Sequence, residues 1–196
     1  LNFKKENVKN YQLILASQSP RRRQLLTEAG FVFSVRPTDT DETLPPQYEA
    51  EKVAQWLAQK KAAAALEWLE NDQQIIIAAD TVVILDGEIF GKPETHAEAF
   101  AMIRRLANRT HKVVTGVCLR SRLREVAFSD EALVTFDDFS DEEINFYIQT
   151  CQPFDKAGSY GIQEWLGLCK ILRIEGTYAN VMGLPVHLIY AALKNF

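Results

Sequence analysis

Two hydroxyls and three guanidinium groups are packed into Ser17-Gln-Ser-Pro-Arg-Arg-Arg23. The apolar run before them, Leu13 to Ala16, has the length of a buried strand. Ser19 followed by Pro20 is a helix start, because the serine oxygen takes an orphan backbone N–H and proline has none to orphan. Arg21, Arg22 and Arg23 then fall in a first turn whose dipole they oppose, at a cost of about 0.3–1 kcal/mol each. Hydroxyls (Ser17, Ser19), free N–H groups and guanidinium forks at a strand-to-helix turn can cradle phosphate. The plainer alternative is a solvated basic turn.

Asp80 is the second chemical signal. It is the one charge in Ile75-Ile-Ile-Ala-Ala-Asp-Thr-Val-Val-Ile-Leu85, a strand-type run in which a bare carboxylate is costly unless it is paired or binds a cation. A catalytic or metal-facing role is expected, against a structural ion pair or a bulge that turns it to solvent. As an unpaired charge, its removal would relieve the fold. Glu42 lies in an acidic loop, Thr38-Asp-Thr-Asp-Glu-Thr43, closed by Pro45-Pro46. Lys61 sits on a helix-type stretch, Lys92 at a hairpin-to-helix corner, and Lys156 in a glycine-bearing loop with Asp155 and Gln163. Each has a bland reading as surface charge or an ordinary turn. As a set, the cations Arg21, Arg22, Lys61, Lys92 and Lys156 suit a polyphosphate, and Glu42 and Asp80 suit a hard divalent metal that bridges phosphate oxygens.

Composition narrows the partners. The 196 residues carry 22 Lys and Arg against 26 Asp and Glu, a formal charge of −4, so general nucleic-acid or acidic-membrane binding is not expected. Cys118, Cys151 and Cys169 are far apart and include no Cys-x-x-Cys pair, which indicates neither a zinc knuckle nor a disulfide framework. His96, His111 and His187 have no metal-ligand spacing, and no Gly-x-x-x-x-Gly-Lys-Ser/Thr P-loop is present. With no leader-like segment and no apolar run near 18 residues, a soluble, cytoplasmic protein is expected.

The elements that must hold these residues read as alternating strands and helices. Residues 1–12 are a polar lead-in, and 13–196 form a single domain. A helix from Pro20 to about Ala29 ends at Gly30, and a strand covers Phe31 to Val35. A long helix runs from about Tyr48 to Leu69, then the Ile75–Leu85 strand turns at Asp86-Gly87 into Glu88–Phe90. Thr95-x-x-Glu98 and Ser140-x-x-Glu143 are capping boxes for two more helices. Strands are expected at Lys112–Leu119, Glu125–Phe136 and Leu166–Ile174, and a last helix ends near Leu193. The fold class is α/β, a long mixed sheet flanked by helices in two lobes around a central cleft.

Four motifs in this order, Ala16-Ser-Gln-Ser-Pro-Arg-Arg-Arg-Gln-Leu-Leu26, Ala79-Asp-Thr-Val-Val83, Gly91-Lys-Pro93 and Asp155-Lys-Ala-Gly-Ser-Tyr-Gly-Ile-Gln163, resemble those of the Maf proteins. Gly176-Thr-Tyr-Ala-Asn180 and Gly183-Leu-Pro185 support them, so the likeness runs from about Leu13 to the C-terminus. The resemblance implies an inosine-triphosphatase-like fold and a nucleoside triphosphate pyrophosphatase. Ala-Asp-Thr together with the late Asp-Lys-Ala-Gly-x-Tyr-Gly-Ile-Gln is similar to the dTTP/UTP branch rather than the 7-methyl-GTP branch. It implies Asp80 as general base, Glu42 as an acidic metal or water ligand, Lys61 and Lys92 on phosphate, and Arg21, Arg22, Thr81 and Gln163 in binding and branch specificity. The implied cofactor is a divalent cation, Mg2+ or Mn2+, and a homodimer is compatible with it. Gln152 before Pro153, Ala107-Asn108 and Met182 depart from the usual pattern without removing a proposed catalytic group. The alternative implied by the family is a nucleotide-binding regulator of cell division or septum formation with little catalysis.

Overall fold

The computed structural model describes residues 11–41, 43 and 49–196. Glu42, the expected second acidic ligand, and residues 1–10 of the expected 1–12 lead-in lie outside the described residues, while Gln12 already belongs to the first strand. Seven strands form one mixed sheet: β1 (Gln12–Leu15), β2 (Phe33–Val35), β3 (Gln74–Leu85), β4 (Glu88–Phe90), β5 (Thr110–Arg120), β6 (Glu125–Phe136) and β7 (Ile171–Glu175). Their order is β2-β1-β3-β5-β6-β7, with β4 paired to β3. β1 runs parallel to β2 and β3, whereas β3–β4 and β6–β7 are antiparallel. The helices are α1 (Pro20–Glu28), α2 (Ala50–Ala64), α3 (His96–Leu106), α4 (Asp141–Cys151), α5 (Trp165–Lys170), α6 (Tyr178–Val181) and α7 (Val186–Lys194). Among the described residues no helix is long and apolar enough to cross a membrane.

Local chemistry explains most element boundaries. Ser19 caps α1 through its side chain, with Pro20 in the first turn, and Gly30 follows at φ +79°. Asp86 and Gly87 both take positive φ, as the tight β3–β4 turn requires. Ser140 and Glu143 close a full capping box on α4. Two expectations fail. The strand expected over Leu166–Ile174 is helix α5 followed by the shorter β7. Gly167 permits it: a Cβ there would lie 2.2 Å from the Ile162 carbonyl oxygen, so the helical turn folds directly onto the preceding loop. The long helix stops at Ala64 and a 3-10 turn, Leu66–Trp68, replaces its last part.

The chain divides into two compact units. The first holds residues through Asp80, Thr115–Asp130 and Gly183–Phe196. Its core gathers Ile14, Ala16, Ile76, Ala78 and Cys118 with Ala58, Ala62 and Ala65. The second comprises Thr81–Val114 and Glu131–Met182. Its core is larger and aromatic, with Phe90, Phe136, Phe139, Tyr147 and Tyr160 among Val83, Ile103, Ile144 and Ile148.

Candidate active site

In the first unit, helix α2 lies unusually close to the sheet. Ala54, Ala58, Ala62 and Ala65 recur at helical spacing and are fully buried. Beneath them Gly116 has no room for a side chain, since a Cβ would meet the Ala54 and Gln55 backbone at 2.2 Å. Side chains on β3 alternate between faces, and Ile76 and Ala78 pack with the α2 alanines. Asp80 is next on that same face. It therefore meets Lys61, whose Nζ donates to Asp80 Oδ1 at 2.5 Å. Asp80 is 9% exposed, and both side chains of the pair are 12% exposed. The lone carboxylate expected from the sequence has its cation, so removing the charge would break a nearly buried ion pair rather than relieve the fold.

The serine–arginine turn adjoins this pair through the backbone. Arg22 Nε donates to the Gly183 carbonyl at 2.8 Å, and its Nη1 donates to the Ala79 carbonyl at 2.7 Å and to Ser17 Oγ at 3.3 Å. Ser17, buried, also accepts the Ser19 N–H at 3.2 Å, while Ser19 Oγ takes the Arg22 N–H at 3.4 Å. Arg22 thus joins the start of α1 to the residue before Asp80 and to the segment before α7. These contacts hold the fold, whatever part Arg22 also takes on phosphate. Arg21, half-buried, is one position earlier on the same turn.

Thr81, Lys92, Lys156 and Gln163 belong to the second unit. Thr81 is half-buried on β3 and Lys92 is exposed after β4. The late loop docks on the corner that carries Lys92. Gly158, at φ +69°, donates its N–H to the Gly91 carbonyl at 3.0 Å, and a Cβ there would press on Val83. Lys156 is 6% exposed. Its ammonium donates to Asp155 Oδ1 at 2.7 Å and pairs with Glu164 Oε1 at 3.0 Å. Glu164 Oε2 accepts the Tyr147 hydroxyl. The Tyr147 oxygen in turn accepts the Gly161 N–H at 3.0 Å. Burial first, then the Glu164 hydrogen bond, holds the Tyr147 phenol far above its usual pKa, so it stays a donor. Gln163 Oε1 is shielded from solvent and accepts no hydrogen bond among the described residues.

Glu164, Tyr147 and the His111–Tyr160 pair escape sequence reasoning. Tyr147 comes from a helix 17 residues away, and no local pattern marks it. His111, in sequence one of three scattered histidines, is buried with Nε2 and the Tyr160 hydroxyl sharing a hydrogen bond of 2.8 Å. Its ring packs against Phe136 and Tyr160, and burial lowers its pKa to about 3.

Among the described residues no three His, Cys, Asp or Glu side chains converge as a metal cage. A magnesium-type ion does not need one, since it takes one or two carboxylates and completes its shell with water and substrate phosphates. Asp80, a hard oxygen donor beside cationic groups, has the chemistry for that kind of site.

Comparison with known proteins agrees with this architecture. A solved structure, that of the Staphylococcus aureus Ham1 protein, has the same fold, with a TM-score of 0.55 at 16% identity, covering 94% of this chain and 98% of that one. In sequence, the chain is 50% identical over 193 residues to a Porphyromonas gingivalis (strain ATCC BAA-308 / W83) protein named dTTP/UTP pyrophosphatase, covering 97% of each. It is 46% identical to one of the same name from Phocaeicola vulgatus, over 96% of this chain and 98% of that one. The Maf-like protein family model matches residues 12–196, from the first strand through Asp80 and the late loop to the last helix. This chain belongs to the Maf-like protein family.

Proposed function

We propose that this protein hydrolyses dTTP and UTP to the nucleoside monophosphate and pyrophosphate. The observation that carries the reading is the Lys61–Asp80 pair, a nearly buried carboxylate and ammonium at 2.5 Å. Attack of water on a phosphoanhydride needs a group to take the proton of water and positive charge on the phosphate oxygens. Asp80 takes the first role by accepting that proton at its carboxylate. Lys61 takes the second, passing its ammonium from Asp80 toward a phosphate oxygen as the triphosphate binds. Lys92 and Arg21 add charge along the phosphates, and the Ser17–Ser19 turn offers them its polar face. Arg22 holds that turn against Ala79. Asp80, with Glu42, would hold a divalent cation, Mg2+ or Mn2+, which when bound supplies charge to the leaving pyrophosphate.

Thr81 and Gln163 read the base. The 2,4-dioxopyrimidine ring of uracil or thymine alternates carbonyl acceptors with an N–H donor. The Gln163 amide supplies an acceptor and donors in matching order, and among the described residues its oxygen has no protein donor. Lys156 acts within the loop that carries Gln163. A cytoplasmic place of action follows from the nucleotide pool such an enzyme would serve. The reading is tested by following products from UTP and dTTP with Mg2+ or Mn2+ present. Monophosphate and pyrophosphate should form in equal amounts, and stepwise release of orthophosphate through a diphosphate would contradict it.

A further inference from the structure

We propose that Glu164 is a positioning residue that sets base selectivity by clamping the loop on both sides of Gln163. The inference rests on the pyrimidine-reading role of Gln163 proposed above. Both oxygens of the Glu164 carboxylate are engaged, and each holds a different part of the loop. Oε1 pairs with Lys156 at 3.0 Å, at the start of the loop. Oε2 accepts the Tyr147 hydroxyl, whose oxygen accepts the Gly161 N–H at 3.0 Å, two residues before Gln163. The Glu164 backbone N–H closes the turn onto the Gly161 carbonyl at 3.0 Å. Gly161 leaves room for this arrangement, since a Cβ there would come within 2.8 Å of the Glu164 carboxyl carbon.

The clamp is anchored to stiff elements. Tyr147 is fully buried on α4 in the aromatic core, and Lys156 is buried with its charge balanced by Glu164 and Asp155. Gln163 lies between Gly161 and Glu164, so its backbone has few arrangements left. An amide that discriminates between bases must be fixed in place, because a loose one rotates to suit either hydrogen-bond pattern. Glu164 supplies that fixation without itself reading the base.

The test uses Glu164→Gln, which keeps the shape and an acceptor for Tyr147 but loses the charge on Lys156. Tyr147→Phe releases the loop from the other side and guards against a folding effect peculiar to one variant. For each, kcat and KM are measured with UTP and with GTP, in the wild-type and Gln163→Ala backgrounds. Amide hydrogen exchange across 156–164 is followed on the same preparations. Both variants should lower the UTP-to-GTP ratio of kcat/KM by about tenfold, mostly through the KM for UTP, the scale of losing one well-placed polar contact. Exchange at 161–163 should accelerate by a similar factor. In the Gln163→Ala background neither change should lower the ratio further. Unchanged exchange, an unchanged ratio in spite of faster exchange, or a full additional loss without Gln163 would each overturn the proposal. If the wild-type protein fails to hydrolyse UTP and dTTP, the activity falls and the clamp loses its purpose with it. With an active wild type, the variants judge the clamp alone.

Discussion

Asp80 serves two partners, the Lys61 ammonium at 2.5 Å and, in the proposed reaction, the attacking water. Asp80→Asn separates the two roles. Turnover should fall by about 10²-fold or more, the low end for a positioned acid–base group. The melting temperature should fall too, because breaking a buried ion pair on one side costs about 3–5 kcal/mol. The 12% exposure of each side chain brings the expected loss toward the lower end of that range. Adding Lys61→Met to Asp80→Asn should leave turnover low, since the base is still missing. Thermal unfolding and steady-state kinetics on the two variants check both halves. Normal turnover in a folded Asp80→Asn protein would reduce Asp80 to a structural partner. Arg22 shows how far residue-level reading reaches. Its type and its place in the first turn of α1 were legible as a cradle. Its acceptors, the carbonyls of Ala79 and Gly183, lie 57 and 161 positions away and leave no local mark. Arg22→Ala should therefore destabilise as well as slow the enzyme, by about 1–3 kcal/mol for each carbonyl left buried without a donor.

At the scale of elements, the site depends on how closely α2 approaches the sheet. Gly116→Ala should be among the most damaging single-methyl changes in the protein. The new Cβ would meet backbone atoms of Ala54 and Gln55 at 2.2 Å, which no side-chain rotation can relieve. Overpacking of this kind costs about 1–3 kcal/mol or more. Because α2 carries Lys61, turnover should drop in the fraction that still folds, and melting curves with kinetics at low temperature would show it. The periodicities behind this geometry are legible in the sequence: a buried strand through Asp80, a helix-forming stretch through Lys61, and the capping serine and threonine of three helices. What was not legible is which faces meet, because that depends on the Gly116–Ala54 contact 62 positions apart. The misread of Leu166–Ile174 has a similar cause. A short apolar run suits a strand or a buried helix equally, and the seat of Gly167 against Ile162 decided for helix α5.

The stability of the whole molecule should report His111. Its imidazole has a free-state pKa of 6.5 and a folded-state pKa lowered to about 3 by burial. The unfolded chain therefore binds the proton first as pH falls. The stabilisation is complete above pH 6.5 and is lost progressively as pH drops toward 3, by about 1.4 kcal/mol per unit. Carboxylates held below their usual 4.5, Glu88 by its hydrogen bond from Arg105 and Glu143 by its hydrogen bond from Lys170, add their own losses only below that value. Between pH 6.5 and 4.5, denaturant unfolding should show this slope in the wild type and a shallower one in His111→Gln. The proposed reaction fixes where the oxygen of water goes. In hydrolysis of UTP in 18O-labelled water, attack at the α-phosphorus places one label in UMP and none in pyrophosphate, as mass spectrometry of both products would show. Label in pyrophosphate, with none in UMP, would mean attack at the β-phosphorus and would contradict the reaction assigned to Asp80 and Lys61.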